Sequence, residues 1–398
     1  MASSDRDKDG SRPTPDTLTV RAGRVPARWF RKADVQTSDS EAISDACGRD
    51  SEGTPSSSSS STQTETKDVV CELCPHQCRI AEGRVGRCSA RVNIDGQLIT
   101  RFYGRPVSAA IDPIEKKPLY HFLPGTPILS LGTQGCNLSC KFCQNWQISR
   151  PIAVQQTVNS VLEPAQVVEQ ALKRGCPSVA FTYNEPTIWA EYVVDVSRLC
   201  RSRGIKTVVV SNGMISGEAR KEFYRAVDAA NVDLKGFTHE FYQDLSGGNL
   251  EDVKSTLKYI ARETDVWLEI TNLLIPGRND STEKLREMCD WIVNELGPTI
   301  PLHFSAFFPA WRLTNVAATS LETLLTATEI ARSAGIQYVY RGNVRDDAGQ
   351  TTFCPNCKAT LIKRSGYRNE VASTLDVESL PARCTKCGET IAGIFKRD

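Results

Sequence analysis

The chain has 398 residues, 40% hydrophobic and 24% charged, enough to bury a sizeable core in roughly two or three domains. Forty-eight Lys and Arg against 47 Asp and Glu leave a formal charge of +1, which excludes a global basic field aimed at nucleic acid or an anionic membrane. No apolar run approaches the ~20 residues of a membrane-spanning helix, and 15 cysteines stand beside only four histidines.

In chain order, residues 1–69 read as a disordered tail, with a serine run at 56–61, scattered acids and little aliphatic content. Asp5, Asp7, Asp9 and Asp16 argue against a transit peptide, and no basic start followed by an apolar run marks a secretory signal. A cytoplasmic location is therefore expected, where closely spaced cysteines act as metal ligands rather than disulfides. Residues 70–125 are a Cys-rich metal-binding segment carrying Cys71, Cys74, Cys78 and Cys88. Four thiolates suit zinc or an auxiliary iron–sulfur cluster, and His76 could replace one of them.

Residues 126–346 alternate strands and helices. Strands are expected at 127–133, 178–182, 206–210, 230–234, 266–270, 302–306 and 337–340. Helices are expected at 164–174, 187–203, 217–227, 250–264, 282–296 and 321–334. Val-rich strands bounded by helices predict an α/β fold with a parallel sheet, as a partial or complete (β/α) barrel. A doubly wound open sheet would show the same alternation. Residues 347–398 carry C-x2-C-x26-C-x2-C, formed by Cys354, Cys357, Cys384 and Cys387, the spacing of a zinc ribbon. Lys358, Lys363, Arg364 and Arg368 would supply charge if the ribbon met substrate or nucleic acid. Cys47, Cys176, Cys200 and Cys289 stand alone.

The first strand of the alternating region runs into Cys136, Cys140 and Cys143. Three soft ligands in eight residues select iron–sulfur or zinc, and they leave one coordination position for chemistry. Zinc completed by a distant fourth ligand is the competing reading. Polar groups also interrupt the apolar strands at their C-terminal ends, where barrel active sites are built.

The C-x3-C-x2-C spacing, with Phe142 before its last cysteine, resembles the radical S-adenosylmethionine (SAM) superfamily. The strings CNLSCKFCQNWQIS, EKKPLYHFLPGT and CELCPHQCRIAEGRVGRC resemble one branch, the AmmeMemoRadiSam-system enzymes, related to the pyruvate formate-lyase activating enzymes. The resemblance spans roughly residues 69–398. It implies a [4Fe-4S] cluster on Cys136, Cys140 and Cys143 that cleaves SAM reductively, so that a hydrogen is abstracted from substrate. It further implies SAM contacts from Phe142 beside adenine, and from Asn184 and Glu185 at the amino group. Ser211 and Asn212 would lie near the carboxylate and ribose, although Val210 stands where the activating enzymes carry Asp. Asp233 would serve the ribose, Lys235 the carboxylate and Ile275 the adenine. His303 would bind SAM or substrate, or be a satisfied core histidine.

Asn184 could instead cap a helix, Asn212-Gly213 be a simple turn, and Asp233 with Lys235 a surface ion pair. The implied partners are a one-electron donor protein and Memo-like and AMMECR-like proteins or a protein substrate. The activating enzymes suggest an alternative, a glycyl-radical-enzyme activase. A non-catalytic metal-binding interaction protein is the reading from another class. An RNA-modifying enzyme is opposed by the near-zero charge and the lack of a basic aromatic stripe.

Overall fold

The computed structural model describes residues 25–34, 67–150 and 161–396. The other residues of the expected tail, Cys47 among them, lie outside the described residues. Residues 25–34 and 69 correct the expectation of disorder up to 69. β1 (Val25–Pro26) pairs with β6 (Gln97–Thr100), which pairs with β5 (Arg91–Ile94); β2 (Phe30–Lys32) pairs with β3 (Val69–Cys71), which pairs with β4 (Arg79–Ile80). Ala27, Val69 and Leu98 are buried in the main core, an apolar pairing too sparse to register against the polar composition of the tail.

The central sheet has eight strands. β7 (Ser108–Pro113) is an antiparallel edge on β8 (Pro127–Gly132). β9 (Ser178–Phe181), β10 (Lys206–Ser211), β11 (Ala229–Asp233), β12 (Trp267–Leu274), β13 (Leu302–Ala306) and β14 (Val339–Gly342) continue from β8 in sequence order, all parallel. Among the described residues β14 and β7 do not pair, so the barrel is partial. Caps written in the sequence start the outer helices. Glu163 and Gln166 form a reciprocal capping box for Pro164–Lys173, and Asn249, Ser281 and Ser320 cap the helices beginning at Leu250, Thr282 and Leu321.

Strand alternation divides the core into two. Val179, Phe181, Val209, Ala230 and Val232 pack under the helices. Ala180, Val208, Ala229 and Ile128 point the other way, onto Ile114, Leu119, Phe122 and Leu123. Residues 114–123 therefore line the inner face of the curved sheet, and polar strand residues seat their backbone. Asn231 donates to the Pro118 carbonyl at 2.7 Å, and Glu269 accepts from the Tyr120 and His121 amides at 3.0 and 2.8 Å.

The C-terminal module continues this packing. Its strands β15 (Thr352–Phe353), β16 (Thr360–Ser365) and β17 (Arg368–Val371) form one sheet, and β18 (Leu375–Asp376) with β19 (Arg383–Cys384) a second. Arg364 is fully buried, donating to the carbonyls of Tyr120 at 2.6 Å and Gln350 at 3.0 Å, and to the Thr352 hydroxyl at 2.7 Å. It therefore locks the module to the inner segment and cannot serve as the surface charge expected of it. Among the described residues no helix is long and apolar enough to cross a membrane.

Candidate active site

The cysteine loop leaves β8 through Gly135, where two constraints demand glycine. Its φ is +90°, and a Cβ would stand 2.2 Å from the Cys88 carbonyl oxygen. Backbone bonds then fix the turn: Ser139 N–H donates to the Ser246 carbonyl at 2.7 Å and Lys141 N–H to that of Leu245 at 2.8 Å. Asn137 braces it from within, donating to the Met214 carbonyl at 2.7 Å and accepting from Asn212 at 2.8 Å.

Around Cys136 the expected residues converge. Glu185 is buried, and its Oε1 accepts from the Ser211 hydroxyl at 2.8 Å and Thr187 N–H at 2.9 Å. Its Oε2 accepts from Asn212 N–H at 2.8 Å. Burial pushes this carboxyl up, while the amides of Asn212 and Thr187 and the Ser211 hydroxyl pull it back. The Asn212 amide nitrogen lies 3.8 Å from Cys136 Sγ. Burial first, then Glu185 and Cys140, push the Cys136 thiol up, so metal binding must displace a proton there.

Asn184 is not the helix cap; Glu185 takes that position. Asn184 clips the loop instead, accepting from Thr133 N–H at 3.2 Å and donating to the Gly135 carbonyl at 2.8 Å. At Cys140, burial raises the thiol and Lys235 opposes it. Lys235 donates to Asp233 at 2.7 Å with its side chain only 15% exposed, so the pair is not a surface ion pair. Phe142 is buried in the core with its ring centroid 6.0 Å from that of Phe241. Ile275 is fully buried, and its amide bonds Asn279, which also donates to the Lys235 carbonyl. His303 shares a 2.6 Å bond with Glu269 and packs edge-on against Tyr120, within the network that seats the inner segment.

Asp112, Lys117 and Tyr183 escaped residue-level reasoning. Asp112 accepts from Lys117 and the Tyr183 hydroxyl, each at 2.6 Å, and from Lys116 at 2.9 Å. Burial raises this carboxyl, but those three donors outweigh it and hold it below the usual range. Tyr183 has φ +71°, strain in the turn before Asn184 and Glu185. The signal was present only as neighbours: Lys117 lies in EKKPLYHF, and Tyr183 directly precedes Asn184.

Sulfur spacing separates the three cysteine groups. At the C-terminal module Cys354 Sγ is 3.6 Å from Cys387 Sγ, and Cys357 Sγ 3.7 Å from Cys384 Sγ. A zinc-sized ion bound at ~2.3 Å by four thiolates spaces them about 3.8 Å apart. Among the described residues only this set has three or more ligand atoms all within 4.8 Å of one another. Cys136, Cys140 and Cys143 are brought onto one short loop without that single-ion packing. They fit a cluster, which places several metals between its ligands, better than one zinc.

The radical SAM superfamily model matches residues 130–292. The chain is 42% identical over 323 residues to the uncharacterised protein MJ0808 of Methanocaldococcus jannaschii, covering 81% of this chain and 95% of that one. With the pyruvate formate-lyase-activating enzyme of Clostridium pasteurianum it shares 25% identity over 165 residues, 40% of this chain and 67% of the other. A domain of a pyruvate-formate lyase-activating enzyme from Bacteroides vulgatus matches with a TM-score of 0.36 at 20% identity, covering 42% of this chain and 98% of that domain. The chain belongs to the radical SAM superfamily of enzymes, with distant similarity to the activating enzymes. Membership implies a [4Fe-4S] cluster and SAM as cofactors.

Proposed function

We propose that this chain cleaves SAM reductively and abstracts a hydrogen from its substrate, with Cys136, Cys140 and Cys143 holding the cluster. The observation that carries the reading is the convergence of Glu185, Ser211 and Asn212 on Cys136 and of the Asp233–Lys235 pair on Cys140. The cluster and SAM together supply one-electron cleavage of a sulfonium carbon–sulfur bond.

The chain's own residues supply binding and order. Glu185, held ready by three donors, offers a buried carboxylate to the ammonium of SAM. The Lys235 ammonium, oriented by Asp233, favours the Cys140 thiolate and offers charge to the SAM carboxylate. Phe142 and Ile275 shape the apolar wall of the adenine side, and the packed inner segment keeps water from the strands behind it.

Resemblance to the AmmeMemoRadiSam branch supports a substrate in the pathway of Memo-like and AMMECR-like proteins, with a one-electron donor protein and a cytoplasmic location. The names of the pyruvate formate-lyase-activating relatives favour a second reading, installation of a glycyl radical on a partner protein. At the C-terminal module the sulfur spacing supports zinc.

The test is anaerobic. After reconstitution with iron and sulfide and reduction, the parent should form 5′-deoxyadenosine from SAM, and Cys140→Ser should fall to background. A triad that takes only zinc would sink the reading in favour of a scaffold.

A further inference from the structure

Cys71, Cys74, Cys78 and Cys88 all line one small cavity, together with Arg91, Asn137 and Ile188. Four thiolates around one cavity make a closed ligand set. Yet no three of these sulfurs lie within 4.8 Å of one another, whereas the C-terminal four, in the same molecule, all do. One tetrahedral ion needs the closer spacing; a cluster, with a different metal bound to each sulfur, needs the wider one.

The surroundings carry a buried donor without a partner. Arg91 is 1% exposed and lines the same cavity, and its Nε has no partner among the described residues. Its other nitrogens are committed, one to the Arg28 carbonyl at 3.0 Å and one to both oxygens of Glu191 at 2.7 and 2.8 Å. A buried cation with a spare N–H beside four thiolates suits a negatively charged metal–sulfur group that accepts hydrogen bonds. His76 lines the same cavity, and its Nε2 lies 2.8 Å from the Asn137 carbonyl; the four cysteines by themselves complete a four-ligand set.

We propose that Cys71, Cys74, Cys78 and Cys88 hold a second iron–sulfur cluster, not a zinc ion. With every ligand supplied by the chain, no position is left for substrate, and one-electron transfer is the remaining chemistry. The placement suits it: Cys88 presses its carbonyl on Gly135, next to Cys136, and Asn137 walls the cavity. The second cluster takes one electron from a reduced low-potential donor and gives one to the catalytic cluster, returning to its oxidised state each turn. The ligand assignment stands on its own residues; the electron-transfer role rests on the function proposed above.

The experiment uses the full chain carrying Cys136→Ser, Cys140→Ser and Cys143→Ser together, prepared without oxygen and assayed for iron, acid-labile sulfide and zinc. Equal iron and sulfide with one zinc per chain is the expected result. Two zinc ions and no sulfide, or an empty N-terminal site, would overturn it. Should the triple variant fail to fold, the parent decides. Its iron should exceed the roughly four atoms of a single [4Fe-4S] cluster, and the excess should vanish in Cys88→Ser. Only about four irons, with two zinc ions, again overturns the assignment. A potentiometric titration followed by electron paramagnetic resonance should show two reducible centres in the parent and one in Cys88→Ser; a single centre in the parent overturns the electron-transfer role. Formation of 5′-deoxyadenosine by the parent tests the catalytic reading separately.

Discussion

Two four-cysteine regions sit at the two ends of this chain and are built differently. The C-terminal set is two matching knuckles with sulfurs in close contact distance and its own small apolar core, which includes Cys354, Leu361, Ile362, Cys384 and Ile391. The N-terminal set spreads its sulfurs around a cavity and borrows its walls from the barrel, through Asn137 of the cysteine loop and Ile188. A self-contained site serves as a staple; one that shares walls with the active site is coupled to it. The same ligand count thus serves two purposes, and spacing and neighbours distinguish them.

Breaking the barrel's grip on the N-terminal region should have the largest effect. Glu191 meets Arg91 across 100 residues of sequence, and both are buried. Glu191→Ala leaves the guanidinium uncompensated and should cost about 3–5 kcal/mol in a denaturant titration. The same variant should lose iron while keeping the C-terminal metal, as measured by metal analysis. Gly135→Ala acts where the two cysteine sites touch. A Cβ 2.2 Å from the Cys88 oxygen at φ +90° should cost roughly 2–4 kcal/mol and reduce iron at both sites.

At the other end, Arg364→Met keeps the apolar stem but strips the carbonyls of Tyr120 and Gln350 of their donor. It should cost about 2 kcal/mol and speed hydrogen exchange at 352–396, leaving the 133–149 loop protected. Unprotected exchange in that loop would mean the regions are not independent.

The smallest effect is a pH dependence at the same junction. His121 is neutral, donating from Nδ1 to the Ala392 carbonyl at 2.6 Å and accepting at Nε2 from the Tyr340 hydroxyl. Burial lowers its pKa from 6.5 to about 4. Because the folded value lies below the unfolded one, this contribution is fully present above pH 6.5 and is lost as pH falls toward 4. His121→Gln should flatten that part of the stability profile; an unchanged profile would show that His121 does not carry it.

Much of the fold was legible because its signals are local. Apolar runs of strand length between amphipathic stretches placed all seven parallel strands, each within a few residues. Caps were less legible: Asn184 reads as one, and Glu185 takes the position. The loop of Cys136, Cys140 and Cys143 was legible for the same reason, since three ligands in eight residues need no knowledge of the rest. The strands at 25–34 were not, because a few alternating apolar residues amid polar sequence become strands only when β3 and β6 arrive to pair with them.

What the sequence determined by itself, then, is what short-range spacing can encode: strand and helix periods, and three groups of clustered cysteines. Only the tertiary structure decided that the barrel stays open, that residues 114–123 line its inner face, and that His303 is spent on Glu269. It also decided that Arg91 finds Glu191, and that one cysteine quartet is compact and the other spread. Each of these depends on groups far apart in the chain meeting where water is excluded. There an unpaired charge or donor is costly, and which partner satisfies it is set by packing rather than by sequence neighbours.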